Sequence, residues 1–404
     1  MTSVHECHRQ ALEEIAARAH LPRVVRAARM LGIEPEHPPV VLRSALRAAG
    51  GPYAESVLAL GPRPDQVVAV GCWLTPPEAG GSAFPVRAGS LGWLTVTPIT
   101  VDPVAATAAR LEGTRSRLVR YHRGLRATVR VEGPKDLRGC AVAFAKVFSD
   151  HRGAARHAVA ARLAVASDSG LVGFRVPTPA RYDAQRFVLW QLGVAGNPAT
   201  VQLKGPDAPR LARTMGAALA SLHASGLDAS HRITATTQLA RAERNVAEAV
   251  RLVPGLHDGL MRLLDVVAGA DAGTRPPVAI HGSPDPSQWL LGPGLRPGLL
   301  DFDRFSLGMP EIDLACFLVE MEAIERHLAT DSASQALLDG YRSRGGEVDA
   351  GELRRQTTLR RIGKVVRAAR ALRVDGDHRA ARVLAAAESA PVPVFDAVTK
   401  VGCS

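Results

Sequence analysis

Apolar and polar positions divide the chain into a mixed beginning, a strand-rich middle and a helical end. Leu12, Ile15, Ala16, Leu21, Val24, Val25, Met30 and Leu31 fall at helical spacing and predict an amphipathic helix over 6–31. Apolar runs at 67–72 and 93–99 predict strands, with TPPEAGGSAFP as the loop between them. Residues 103–117 read as a helical connector. From residue 118 the period shortens: LVRY, a turn at Arg123 and Gly124, LRATVRVE, a loop through Gly133, Pro134 and Gly139, then CAVAFAKVF. These three runs predict an antiparallel sheet. A helix at 154–166 and strands at 172–177 and 186–192 follow.

Beyond residue 205 the pattern is helical. Leu211, Met215, Leu219 and Leu222 share one face, with Asp207 and Pro209 as start signals and Gly226 as the stop. Further helices are predicted over 238–252, 258–268, 312–329, 334–342 and 352–372. A sheet-rich part followed by a helical part is an α+β arrangement rather than alternating βαβ.

The 404 residues suffice for a two-lobed domain with an extension, and 46% apolar with 22% charged residues is the composition of a folded globular protein. Five scattered cysteines indicate neither a disulfide framework nor a zinc site. With no signal-like start and no apolar run long enough to span a bilayer, a cytoplasmic protein without membrane contact is expected. The net charge of +11 includes eight basic and no acidic residues between Arg354 and Arg373. Such a helix is either a solvated face or a patch for nucleic acid or acidic peptide.

The chemistry concentrates in VAIHGSPDPSQWLLGPGLRPGLLDFDRFSLGMPEIDLACF, residues 278–317. A tight polar loop followed by a strand end bearing aspartates is what phosphoryl transfer requires: oxygen ligands for Mg²⁺ and a group that positions or deprotonates an acceptor hydroxyl. The segment resembles the catalytic region of the aminoglycoside phosphotransferase and choline kinase superfamily, whose pattern is HGD, five residues ending in Asn, a strand ending IDFD or IDW, and GDPxxDLA. His281, Gly282, Asp301, Asp303, Gly308, Pro310, Asp313, Leu314 and Ala315 match; Gln288 stands at the Asn position. The resemblance covers about residues 118–375.

It implies a bilobal protein-kinase-like fold with a small antiparallel β lobe and a mainly helical second lobe. The expected division is an N-terminal α/β extension over 1–115, a nucleotide lobe over 116–203 and a helical lobe over 204–404. It also implies ATP or another nucleoside triphosphate and Mg²⁺ as cofactors. Lys146 is then the phosphate-binding lysine, RFVLWQLGVAGNP with Gln191 the hinge against the base, and Asp301 with Gln288 the metal ligands. Asp313 braces the loop.

Three departures bear on activity. Ser283 occupies the position of the family's catalytic Asp, and a hydroxyl without a shifted pKa does not take a proton near neutral pH. Asp285 and Asp303 are the candidate substitutes. The helix after Lys146 holds no glutamate to pair with it, only His157 and arginines that repel it, and GPKDLRG is a weak phosphate cover. Three functions stay open: a nucleotide-binding pseudokinase with a protein partner, an active O-phosphotransferase acting on a small-molecule or peptide hydroxyl, and a basic binder of nucleic acid or acidic peptide, the last being the least expected.

Overall fold

In a computed structural model, the backbone of five strands between residues 42 and 96 is described, together with residues 103–390 apart from 112, 123–124, 138, 271–274, 293, 295, 329–331 and 371–375. The helix expected over 6–31 lies outside these residues. Strands β1 (Leu42–Leu46), β2 (Ala54–Leu58), β3 (Ala69–Trp73), β4 (Phe84–Arg87) and β5 (Trp93–Val96) form a sheet in the order β1-β2-β3-β5-β4. Part of the expected loop TPPEAGGSAFP is therefore the start of β4, paired antiparallel with β5.

The helical connector is shorter than expected: α1 spans Pro103–Ala109, and the chain is extended again from Arg115. A second five-stranded sheet follows, ordered β6 (Arg115–His122), β7 (Arg126–Glu132), β8 (Val142–Phe148), β10 (Val188–Leu192), β9 (Pro179–Asp183). Strict alternation sets its faces. Val129, Val131, Ala143, Ala145, Val147 and Trp190 are buried with Val104 and Ala108 of α1. Lys146 therefore points from the other face, opposite Thr128 and Leu189 in the register. A slip of one residue would drive its ammonium into the α1 core.

One expectation needs correction. Residues 172–177 form no strand: Val172, Phe174 and Val176 alternate inward, but the segment makes only an isolated bridge from Arg175 to Gly298. Burial supplied the period-two pattern, while no neighbouring strand supplied a ladder. In the loop GPKDLRG, Leu137 packs on the α1 face and Asp136 pairs with Arg181 and Arg186.

Helix α2 (Arg152–Asp168) packs against β8, β9 and β10. Helix α3 (Ala199–Gln202) follows the sheet, and the helical lobe contains α4 (Ala208–His223), α5 (Ala235–Leu252), α6 (His257–Ala268), α7 (Glu311–Leu328), α8 (Ser332–Arg342), α9 (Ala350–Arg370) and α10 (Gly376–Ser389). Met215, Leu219 and Leu222 of α4 are fully buried against α8 and its neighbours, each contributing about 2 kcal/mol of apolar burial. Thr234 and Thr237 cap α5 reciprocally. The basic helix α9 is no continuous solvated stripe: Arg355 and Arg361 are buried, pairing with Glu352 and Glu322. Among the described residues no helix is long and apolar enough to cross a membrane, and Cys140 and Cys316 are free thiols.

Candidate functional site

Short strands in the second lobe set two polar turns side by side. Strand β12 (Val278–Ile280) pairs antiparallel with β15 (Ser306–Gly308), and between them β13 (Trp289–Leu291) pairs with β14 (Gly298–Leu299). The loop leaving β12 carries Ser283 to Gln288, and the turn leaving β14 carries Asp301 to Arg304. The Leu300 N–H donates to the Gln288 carbonyl at 2.9 Å, joining the turns. Gly282 has φ +84°, and a Cβ there would lie 2.6 Å from the Arg304 carbonyl oxygen, so only glycine lets the two approach.

Buried Asp313, in the first turn of α7, holds the loop. Its carboxylate accepts the backbone N–H groups of His281 and Gly282, both at 2.7 Å, and His223 Nε2 at 3.2 Å. Burial opposes its ionisation, but the hydrogen bond and charge of His223 overcome this and hold its pKa below the usual carboxylate range. His281 Nε2 donates to the Leu300 carbonyl at 2.8 Å, while its Nδ1 accepts the Ser283 N–H at 3.2 Å. This is the neutral tautomer, and burial pushes the His281 pKa down.

The turn meets the sheet across a groove. Lys146 Nζ lies 2.8 Å from Asp301 Oδ1 and 3.0 Å from Asp303 Oδ1. Arg126, at the start of β7, pairs with Asp303 and reaches Asp301 at 3.4 Å. Lys146 is 13% exposed and the aspartates 22% and 16%, so these ion pairs are only partly screened by water. Burial raises the cost of the Asp301 charge, yet Lys146 and Arg126 hold its carboxyl well below the usual range. Asp301 adopts a left-handed backbone, φ 66°, a conformation that aspartate tolerates better than most residues.

A cleft of about 380 Å³ opens in front of this cluster, lined by Ser283, Asp285, Gln288, Asp301 and Asp303 together with Arg120, Arg126, Arg152, Arg156 and Arg304. A recess of about 20 Å³ behind it holds Gln191, Leu189 and Phe302 beside Lys146. Of the seven site residues expected from the sequence, Ser283, Asp285, Gln288, Asp301 and Asp303 line the cleft, while Lys146 and Gln191 line the recess, which shares Asp301 and Asp303 with it. Their engagements differ. Asp285 accepts Ser287 N–H at 2.9 Å and also the Ser287 hydroxyl, capping the turn Pro286–Gln288. Asp303 is taken up by Lys146 and Arg126. The Ser283 hydroxyl meets Arg360 Nη2 at 3.4 Å and Cys316 Sγ at 3.8 Å. Arg156 of α2 lines the recess beside Lys146.

Arg126 and Arg304 were not found by sequence reasoning, and Arg360 entered it only as one of the eight basic residues of the 354–373 patch. Only the register puts Arg126 on the face of Lys146, and only the packing of α9 brings Arg360 to the loop. Among the described residues there is no cluster of three or more His, Cys, Asp or Glu able to hold a metal by itself. Two carboxylates and the Gln288 amide at one cleft nevertheless fit Mg²⁺, which takes one or two carboxylates and completes its shell with water and phosphate oxygens. Asp301, Asp303 and Gln288 would hold it, and it would supply charge neutralisation for phosphate groups.

A comparison with protein families matches residues 118–355 to the phosphotransferase enzyme family. A comparison of the sequence with curated proteins finds no match. Among solved structures, a spectinomycin phosphotransferase in complex with ADP and spectinomycin superimposes with a TM-score of 0.52 at 13% identity, covering 69% of this chain and 94% of that one. An aminoglycoside-3'-phosphotransferase of type VIII aligns at 23% identity and TM-score 0.48, over 65% and 99% of the two chains. A choline/ethanolamine kinase family protein from Mesorhizobium loti aligns at 20% and 0.47, over 72% and 93%. The spectinomycin enzyme shows the shared fold, a small sheet lobe and a helical lobe flanking a groove.

Proposed function

Because the chain belongs to the phosphotransferase enzyme family, we propose that its groove binds a nucleoside triphosphate with Mg²⁺ and that its altered loop makes it a slow or silent phosphotransferase. The observation that carries the reading is the meeting of Lys146 with Asp301 and Asp303 at 2.8 and 3.0 Å across the groove. Lys146 and Arg126 are the cations positioned for phosphate oxygens, and Asp301, Asp303 and Gln288 the oxygen donors positioned for the metal. Leu189 and Gln191 of β10 line the recess with Lys146.

Among the described residues, no carboxylate of the cleft stands free at the acceptor side. Ser283 stands at the base position with Arg360 against its hydroxyl, Asp285 caps its own turn, and Asp303 is held by two cations. Alignment and charge neutralisation supply much of phosphoryl-transfer catalysis without a base, so transfer to a small-molecule hydroxyl is slowed rather than forbidden. A division into 1–115, 116–203 and 204–404 accords with this reading, the groove lying between the last two parts.

Thermal unfolding with ATP or GTP, with and without Mg²⁺, tests it. A ligand held by the folded protein at about a hundred times its Kd adds about 2.7 kcal/mol, so nucleotide with Mg²⁺ is expected to raise the Tm of the parent but not of Lys146→Ala or Asp301→Ala. No shift with either nucleotide, with or without metal, would overturn the proposal.

A further inference from the structure

The wall beside Ser283 carries more positive charge than its carboxylates neutralise. Arg304 lines the cleft with Ser283 and Asp285, and Arg360 reaches over the loop to the Gly282 carbonyl at 3.3 Å and the Ser283 hydroxyl at 3.4 Å. Asp301 and Asp303, the carboxylates facing them, are occupied by Lys146 and Arg126, and Asp285 by Ser287. Neither Arg304 nor Arg360 makes an ion pair with a carboxylate among the described residues.

Guanidinium groups present planar donor forks that match phosphate and carboxylate oxygens, and an anion entering such a cluster removes its mutual repulsion. A polycationic acceptor would meet that repulsion instead. We infer that the acceptor side of the groove is an anion subsite, in which Arg304 and Arg360 hold a phosphorylated or carboxylated small molecule beside Ser283. The acceptor role of this subsite rests on the function proposed above; the anion binding itself is measured apart from it.

The test is calorimetric titration of the full chain with inorganic pyrophosphate, in metal-free buffer, with and without saturating ADP. Pyrophosphate is expected to bind in both cases. Arg304→Gln and Arg360→Gln are each expected to weaken it by about tenfold, the scale of one charge-assisted hydrogen bond, with ADP affinity within about twofold of the parent. Arg360→Lys, which keeps the charge and asks less of the packing, is expected to fall between. Binding that vanishes once ADP is bound, or that survives both arginine substitutions and is lost in Lys146→Ala, would put the anion at the nucleotide phosphates and overturn the inference. Preferential binding of spermine over pyrophosphate would overturn it too. Failure of the parent to bind ADP would sink the nucleotide reading, while the ADP-free titrations still decide the subsite.

Discussion

At the scale of single residues, Ser283 and His281 make opposite demands. Ser283→Asp would place a carboxylate beside Arg360 and within the loop that Asp313 braces. A positioned general base is worth about 100-fold or more, so nucleotide-dependent phosphate release is expected to rise on that order; an unchanged rate would show that Ser283 is not what limits the site. His281 is buried in its neutral form with both ring nitrogens occupied. Its folded pKa lies below the unfolded value of about 6.5, so the unfolded chain binds the proton first and stability falls as pH drops below that value. Urea unfolding at pH 7.5 and 5.5 is expected to show the loss, at up to about 1.4 kcal/mol per pH unit, and equal stability at both would contradict it. The motif letters identified both residues; the basic run 354–373 drew attention to Arg360 but not to its contact with Ser283.

At the scale of elements, the close crossing of α4 and α8 is the most demanding contact in the helical lobe. A Cβ on Gly216 would lie 1.9 Å from the Leu337 carbonyl oxygen, and one on Gly340 2.0 Å from that of Arg213. Gly216→Ala therefore forces two backbones apart, at a cost of about 1–3 kcal/mol or more, visible as a Tm several degrees lower. Gly255→Ala, where nothing stands within 4 Å, is the control expected to stay near the parent. Helix positions were legible because the apolar period is strong, as in α4. The false strand at 172–177 and the short strands β11 (Asn197–Pro198), β12, β13 and β15 were not, since two or three residues carry no period and β11 and β12 find their partners far along the chain.

At the scale of the whole molecule, charge and lobe arrangement act together. Net charge is +11, and five arginines face three aspartates around one cleft. Like charges at this density repel, and salt screens them over about 10 Å at 0.1 M. Raising NaCl from about 20 to about 200 mM is therefore expected to raise the Tm of the parent, and to raise that of Arg304→Gln by less; a fall in the parent would mean that attractive pairs dominate. The order of elements was enough to indicate a sheet-rich part followed by a helical part, because alternation and helical period are local properties of the chain, and the resemblance carried by His281, Asp301 and Asp313 added the two lobes and the phosphotransferase site. Which cations meet those aspartates was settled only by tertiary structure. Arg126, Lys146, Arg304 and Arg360 come from four separate elements, and the charge around a groove depends on distances in space that no neighbouring residue encodes.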